Sequence, residues 1–196
     1  MKAIITGTGR CGTGYMAKVF TESGVKCGHE MCFRTSGYSN RGGWEADSSW
    51  MAIGSLPWDE VPVILVYRNP TDVVNSLVEI GFFDENPDPL HLPYIDRMKL
   101  IAPDVFGYDD PYVKAQAWYV FANQAGMAHA TLVESIDKPN WKRIAKVVPG
   151  LDWTRGVRSV PKNVNTRRTG QPVPKWERTP ELTRTYAQLI ERTAGQ

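Results

Sequence analysis

Ala3-Ile4-Ile5-Thr6-Gly7-Thr8-Gly9-Arg10-Cys11-Gly12-Thr13-Gly14-Tyr15 passes from a short apolar run into a glycine-rich loop. Tyr15, Met16, Val19 and Phe20 then recur at helical spacing, and Gly24 ends the segment. Strand, glycine turn and helix in that order make an anion site. The helix N-terminus offers unpaired N–H groups and a partial positive charge, and glycines let a phosphate approach the backbone.

Outward from this unit, Val25 to Glu30 reads as a second strand, and residues 31–46, rich in Gly, Ser, Arg and Asn, read as a loop. Val61 to Tyr67 is a buried strand. Asn69 to Ile80 follows as a helix, with Asn69 suited to the N-cap, Pro70 to the first helical position and Asp72 to the first turn. Residues 81–111, with Pro87, Pro89, Pro93, Pro103 and Pro111, read as an irregular excursion that could serve as a lid. Helices are expected at Tyr112–Met127, Trp141–Val148 and Glu181–Arg192, a strand at Ala130–Val133, and an irregular basic segment at 154–178. Strands and helices alternate without internal repeat, so the expected class is α/β with a mostly parallel sheet flanked by helices.

The chain has 196 residues, 42% apolar and 22% charged, which fits one globular domain over 1–196 and excludes a disordered or fibrous chain. No apolar run approaches the ~20 residues of a membrane span, and Met1 to Gly7 is too short for a signal peptide. Cys11, Cys27 and Cys32 form no metal-type pair, so no metal site is expected and a reduced cytoplasm is the simpler setting. The net charge of +2 hides an asymmetry. Residues 1–137 carry 10 basic and 17 acidic side chains, and residues 138–196 carry 13 and 4. A basic C-terminal part suggests an anionic partner, although a solvated basic surface has the same composition. No nucleic-acid motif accompanies it, and Trp141, Trp153 and Trp176 are better read as packing residues than as base-stacking ones.

Three phosphate loops compete for residues 7–15. The G-x-x-x-x-G-K-[ST] pattern is spaced correctly by Gly7 and Gly12, but Thr13 stands where the lysine belongs, which argues against an ordinary nucleoside triphosphatase. The dinucleotide fingerprint G-x-G-x-x-G is met by Gly7, Gly9 and Gly12, with Glu30 placed to hold a ribose. This leaves open a Rossmann-type NAD(P)-binding oxidoreductase or a nucleotide-binding module. The third reading rests on Arg10-Cys11-Gly12-Thr13-Gly14-Tyr15, which resembles the 5′-phosphosulfate loop of sulfotransferases, [RK]-S-G-T-[TS] followed by an aromatic or apolar residue. Cys11 and Gly14 replace two hydroxyl residues of that pattern, while the backbone N–H cradle is unaffected.

A second motif bears on the choice. Arg68-Asn69-Pro70-Thr71-Asp72-Val73-Val74-Asn75-Ser76 resembles the 3′-phosphate motif of the same family, R-[DN]-P-x-D-x-x-x-S. Arg68, at the C-terminal end of a strand, would face the crevice where open α/β sheets bind ligands, and Ser76 lies about two turns into the helix. Taken alone, Asn69-Pro70-x-Asp72 is also what a well-capped helix carries, with Arg68 a surface ion-pair residue. A dehydrogenase does not require this motif.

The resemblance to sulfotransferases covers residues 3–20 and 62–80. It implies a P-loop NTPase-like three-layer architecture, 3′-phosphoadenosine 5′-phosphosulfate (PAPS) as donor, 3′,5′-adenosine diphosphate (PAP) as product, and in-line transfer to a hydroxyl or amine of a small-molecule or glycan acceptor without a metal. It assigns Arg10 to the leaving phosphate and the transferring group. Gly9, Arg10, Cys11, Gly12, Thr13 and Gly14 fall in the 5′-phosphate loop, Tyr15 falls where an aromatic meets the adenine, and Arg68 and Ser76 fall at the 3′-phosphate. A general base must reach the acceptor's proton. His29 and Glu30, at the end of the second strand, are the candidates, and Glu30 is favoured because some family members use a glutamate base. Ser48-Ser49-Trp50 resembles a family segment that lines the acceptor pocket. Arg167 and Arg168, within Asn165–Gly170, are the expected C-terminal partners of the donor's phosphates, without the usual R-K-G form. The chain is short for this family, so the acceptor site could be open or completed by a second subunit.

Overall fold

The computed structural model describes residues 1–161 and 175–196. Five strands form one parallel sheet: β1 (Ala3–Thr6), β2 (Cys27–His29), β5 (Ala46–Ser48), β6 (Val63–Tyr67) and β7 (Leu132–Ser135), in the order β2-β5-β1-β6-β7. A two-residue hairpin, β3 (Phe33–Arg34) with β4 (Gly37–Tyr38), stands apart from it. Ile4, Ile5, Val63 to Tyr67 and Val133 are all buried. Strands buried on both faces carry continuous apolar runs rather than alternation, and Val63-Ile64-Leu65-Val66-Tyr67 is such a run.

Helices cover both faces. On one, α1 (Thr13–Glu22) packs against α6 (Trp153–Ser159), with α5 (Trp141–Val147) beside α6. On the other, α4 (Pro111–His129) packs against α2 (Pro70–Glu79) and α7 (Pro180–Gly195). From β1 the chain runs through α1 to the far edge strand β2, whereas from β6 it leaves in the opposite direction to β7. Right-handed crossovers in opposite directions put their helices on opposite faces, so a crevice opens between β1 and β6 at their C-terminal ends.

Several elements differ from the sequence expectation. The hairpin β3–β4 lies within the stretch 31–46 read as a loop, and β5, which begins at the last residue of that stretch, inserts between β1 and β2. Its three residues, Ala46-Asp47-Ser48, carry no apolar pattern although all three are buried. The excursion at 81–111 contains α3 (Leu92–Ile101), held by buried Ile95 and Met98, and the basic segment contains α6. Pro93 is in the first turn of α3, where proline is tolerated, so it starts this helix rather than breaking it. No helix among the described residues is long and apolar enough to cross a membrane.

Candidate functional site

The five sheet strands are parallel, so the segments that follow them share one edge. The loop 7–12 leaves β1 there, Glu30 follows β2, Trp50 follows β5, Arg68 follows β6 and Ile136 follows β7. Gly12 takes the N-cap of α1 at φ 102°, a left-handed conformation that glycine adopts without strain. Gly12 has no side chain with which to cap this helix, and no acidic residue stands in its first turn. The loop is shaped from below. The Trp118 indole donates to the Thr8 carbonyl at 2.8 Å, and the Trp50 ring packs beneath Gly9. Cys11 is fully buried, and burial raises its thiol pKa. Its side chain is therefore turned into the core and only its backbone can face a ligand.

Arg10 is a non-glycine residue at φ 54°, a conformation that costs about 1–2 kcal/mol. Its Nε donates to Ser76 Oγ at 2.9 Å, so the loop after β1 and the helix after β6 are joined directly. Arg68 Nε lies 3.3 Å from Asp72 Oδ2, and Asp72 is one turn before Ser76 on α2. This pair is the one ion-pair contact of Arg68 among the described residues. The capping features expected of this segment are also present: Asn69 Oδ1 accepts from Thr71 N, and Pro70 starts the helix. Tyr119 OH donates to the Arg68 carbonyl at 2.9 Å, fixing the strand end from α4.

Tyr15, the third residue of α1, meets Trp141 edge-on at 6.4 Å and is partly buried. Ser48 and Ser49 are fully buried and serve the scaffold. Ser48 Oγ donates to the Thr13 carbonyl, and Ser49 Oγ donates to the Phe33 carbonyl while accepting from Met51 N. Arg167 and Arg168 lie outside the described residues. The chain returns at Trp176, whose indole donates to Asn75 Oδ1, and at Arg178, which donates to Asn69 Oδ1 and Thr71 Oγ1 at the start of α2.

His29 and Glu30 reach the same edge. His29 Nε2 lies 3.3 Å from Thr13 Oγ1, and burial lowers its pKa. Glu30 sits at φ 58° with its carboxyl 3.9 Å from His29 Nε2. Its pKa is raised to about 7, mainly by burial and then by the negative charge of Asp47, with hydrogen bonding to Trp50 pulling the other way. A carboxyl that titrates near neutrality suits proton transfer. It also affects stability. Between about pH 4.5 and 7 the folded protein keeps a proton that the unfolded chain has lost, so stability falls as pH rises through that window. Glu30→Gln is therefore expected to gain about 2–3 kcal/mol over wild type at pH 8 and almost nothing at pH 4, as read by urea unfolding at both values. An equal gain at both would mean that the carboxyl is not perturbed.

Asp47 is the residue the sequence reading passed over. It carries a fully buried carboxylate in a strand without apolar pattern, and only its placement between β1 and β2 reveals it. Among the described residues, no group of three or more His, Cys, Asp or Glu side chains is arranged to hold a metal ion. A shallow depression of about 440 Å³, lined by Trp58, Glu60, His129 and Thr131 among others, lies at the opposite edge of the sheet. Comparison of the chain with family models, with curated proteins and with solved structures returned no match.

Proposed function

We propose that the protein is a PAPS-dependent sulfotransferase. The observation that carries this reading is the hydrogen bond from Arg10 Nε to Ser76 Oγ, which unites two segments 66 residues apart in the crevice between β1 and β6. A helix N-terminus after β1, with Arg68 and Ser76 on the segment that follows the neighbouring strand β6, suits a ligand with two separate phosphates. The dinucleotide alternative loses support from the strand order. In the standard dinucleotide arrangement the first two strands are neighbours, whereas here β5 separates β1 from β2 and its Glu30.

In the proposed reaction, the N–H groups of Gly12, Thr13 and Gly14 hold the 5′-phosphate, and Arg68 with Ser76 holds the 3′-phosphate. Arg10 meets the charge that develops on the bridging oxygen as the sulfur–oxygen bond breaks. Glu30, ionised, takes the proton of the acceptor hydroxyl or amine as the new bond to sulfur forms, and His29 beside it is the second candidate for that proton. The acceptor is a small molecule or glycan.

The test is equilibrium binding of PAP, 5′-AMP and NAD. Charged hydrogen bonds to a 3′-phosphate are worth about 1.5–3 kcal/mol, so PAP is expected to bind about 10–100-fold more tightly than 5′-AMP. NAD binding in preference to PAP would return the glycine loop to the dinucleotide reading.

A further inference from the structure

We infer that Asp47 is a positioning residue, whose carboxylate ties down the turn that carries Glu30 and aims the Glu30 carboxyl at the mouth of the glycine loop. This rests on the role proposed for Glu30. The geometry is specific. Asp47 pairs in register with Gly28 on one side and Ile4 on the other, and is 0% exposed. Its Oδ1 accepts from Met31 N at 3.0 Å and its Oδ2 from Phe33 N at 3.1 Å. Gly28 makes room for it, since a Cβ there would stand 2.5 Å from Asp47 Oδ1 and 2.6 Å from Met31 Cβ.

Glu30 is thereby held on both sides by β5. Its own N–H donates to the Ser48 carbonyl at 3.2 Å, and the next N–H along the chain donates to Asp47. Two bonds from one strand over-determine the left-handed conformation at Glu30, which a glutamate would otherwise leave. A carboxylate buried in a sheet is costly unless hydrogen-bonded, and a turn alone needs no charge to hold it. The charge has a second effect on the same neighbour, because Asp47 disfavours ionisation of Glu30 and so reinforces burial. Among the described residues, the other groups facing Glu30 are His29, at 3.9 Å, and the Trp50 side chain.

The experiment is a carboxyl-carbon NMR titration of Glu30, assigned with Glu30→Gln, in wild type and Asp47→Asn. The asparagine keeps the shape and one acceptor but removes the charge. Its Glu30 midpoint is expected to fall from about 7 towards the ordinary glutamate range without reaching it, because burial remains. A midpoint unchanged in folded Asp47→Asn would reduce Asp47 to a structural residue and overturn the inference. Should that variant not fold, wild type still decides. The Met31 and Phe33 amide protons must exchange slowly and shift with Asp47's titration, and fast exchange overturns the proposal. Neither measurement uses a ligand. PAP affinity, expected to stay within about threefold in Asp47→Asn, is read separately, so a failure of the sulfotransferase reading is distinguishable from a failure of this one.

Discussion

Gly12→Ala is expected to lower stability by about 2–5 kcal/mol and to abolish PAP binding. Two effects add at this position. The φ of 102° strains any residue with a Cβ. A Cβ would also stand 2.5 Å from Ile136 Cγ1, on the segment after β7, so either the loop or that segment must move. A gap that close cannot be absorbed by a rotamer change in a packed site without overpacking strain. Because Gly12 is the N-cap, any shift carries the first N–H groups of α1 with it, and those groups are the proposed 5′-phosphate site. Gly37→Ala separates the two effects, since Gly37 has φ 103° with nothing within 4 Å of its would-be Cβ. It is expected to show only the backbone cost of about 1–2 kcal/mol. Truncating Ile136 to Ala, which removes both Cγ1 and Cδ1, should recover part of the excess in the Gly12→Ala background. Denaturant unfolding of the four proteins decides this, and equal losses for Gly12→Ala and Gly37→Ala would remove the steric argument.

Much of the framework around the candidate site is legible in the sequence, for physical reasons. The run Val63 to Tyr67 needs burial on both faces, and Asn69-Pro70 with Asp72 is a helix start that few other structures accommodate. The glycines of residues 7–12 demand a loop tight enough to exclude side chains, and the positive φ values at Gly9 and Gly12 are what they permit. Strand β5 is illegible because its buried residues are polar or small and its stability comes from β1 and β2, to which it is not adjacent in sequence. Asp47 is hidden with it. Cys11, read as part of the ligand loop, shows the limit of motif matching: the position is in the loop, but its side chain faces the core. The assignments at Arg167 and Arg168 have no counterpart among the described residues, although Arg178 and Trp176 bring the chain to the start of α2.

Arg68→Ala carries the second large effect. The guanidinium is oriented by Asp72, one turn before Ser76, and both stand on the helix that receives Arg10. Removing it leaves Asp72 unpaired on an exposed helix turn, where little stability is at stake. Any change in ligand affinity therefore reports binding rather than folding. Calorimetric titration of PAP and 5′-AMP into wild type and Arg68→Ala tests this most directly. The account expects wild type to prefer the bisphosphate about 10–100-fold, and the variant to bind both as weakly as wild type binds 5′-AMP. If Arg68→Ala keeps the wild-type preference, Arg68 is only the ion-pair partner of Asp72, and the two-phosphate site is contradicted.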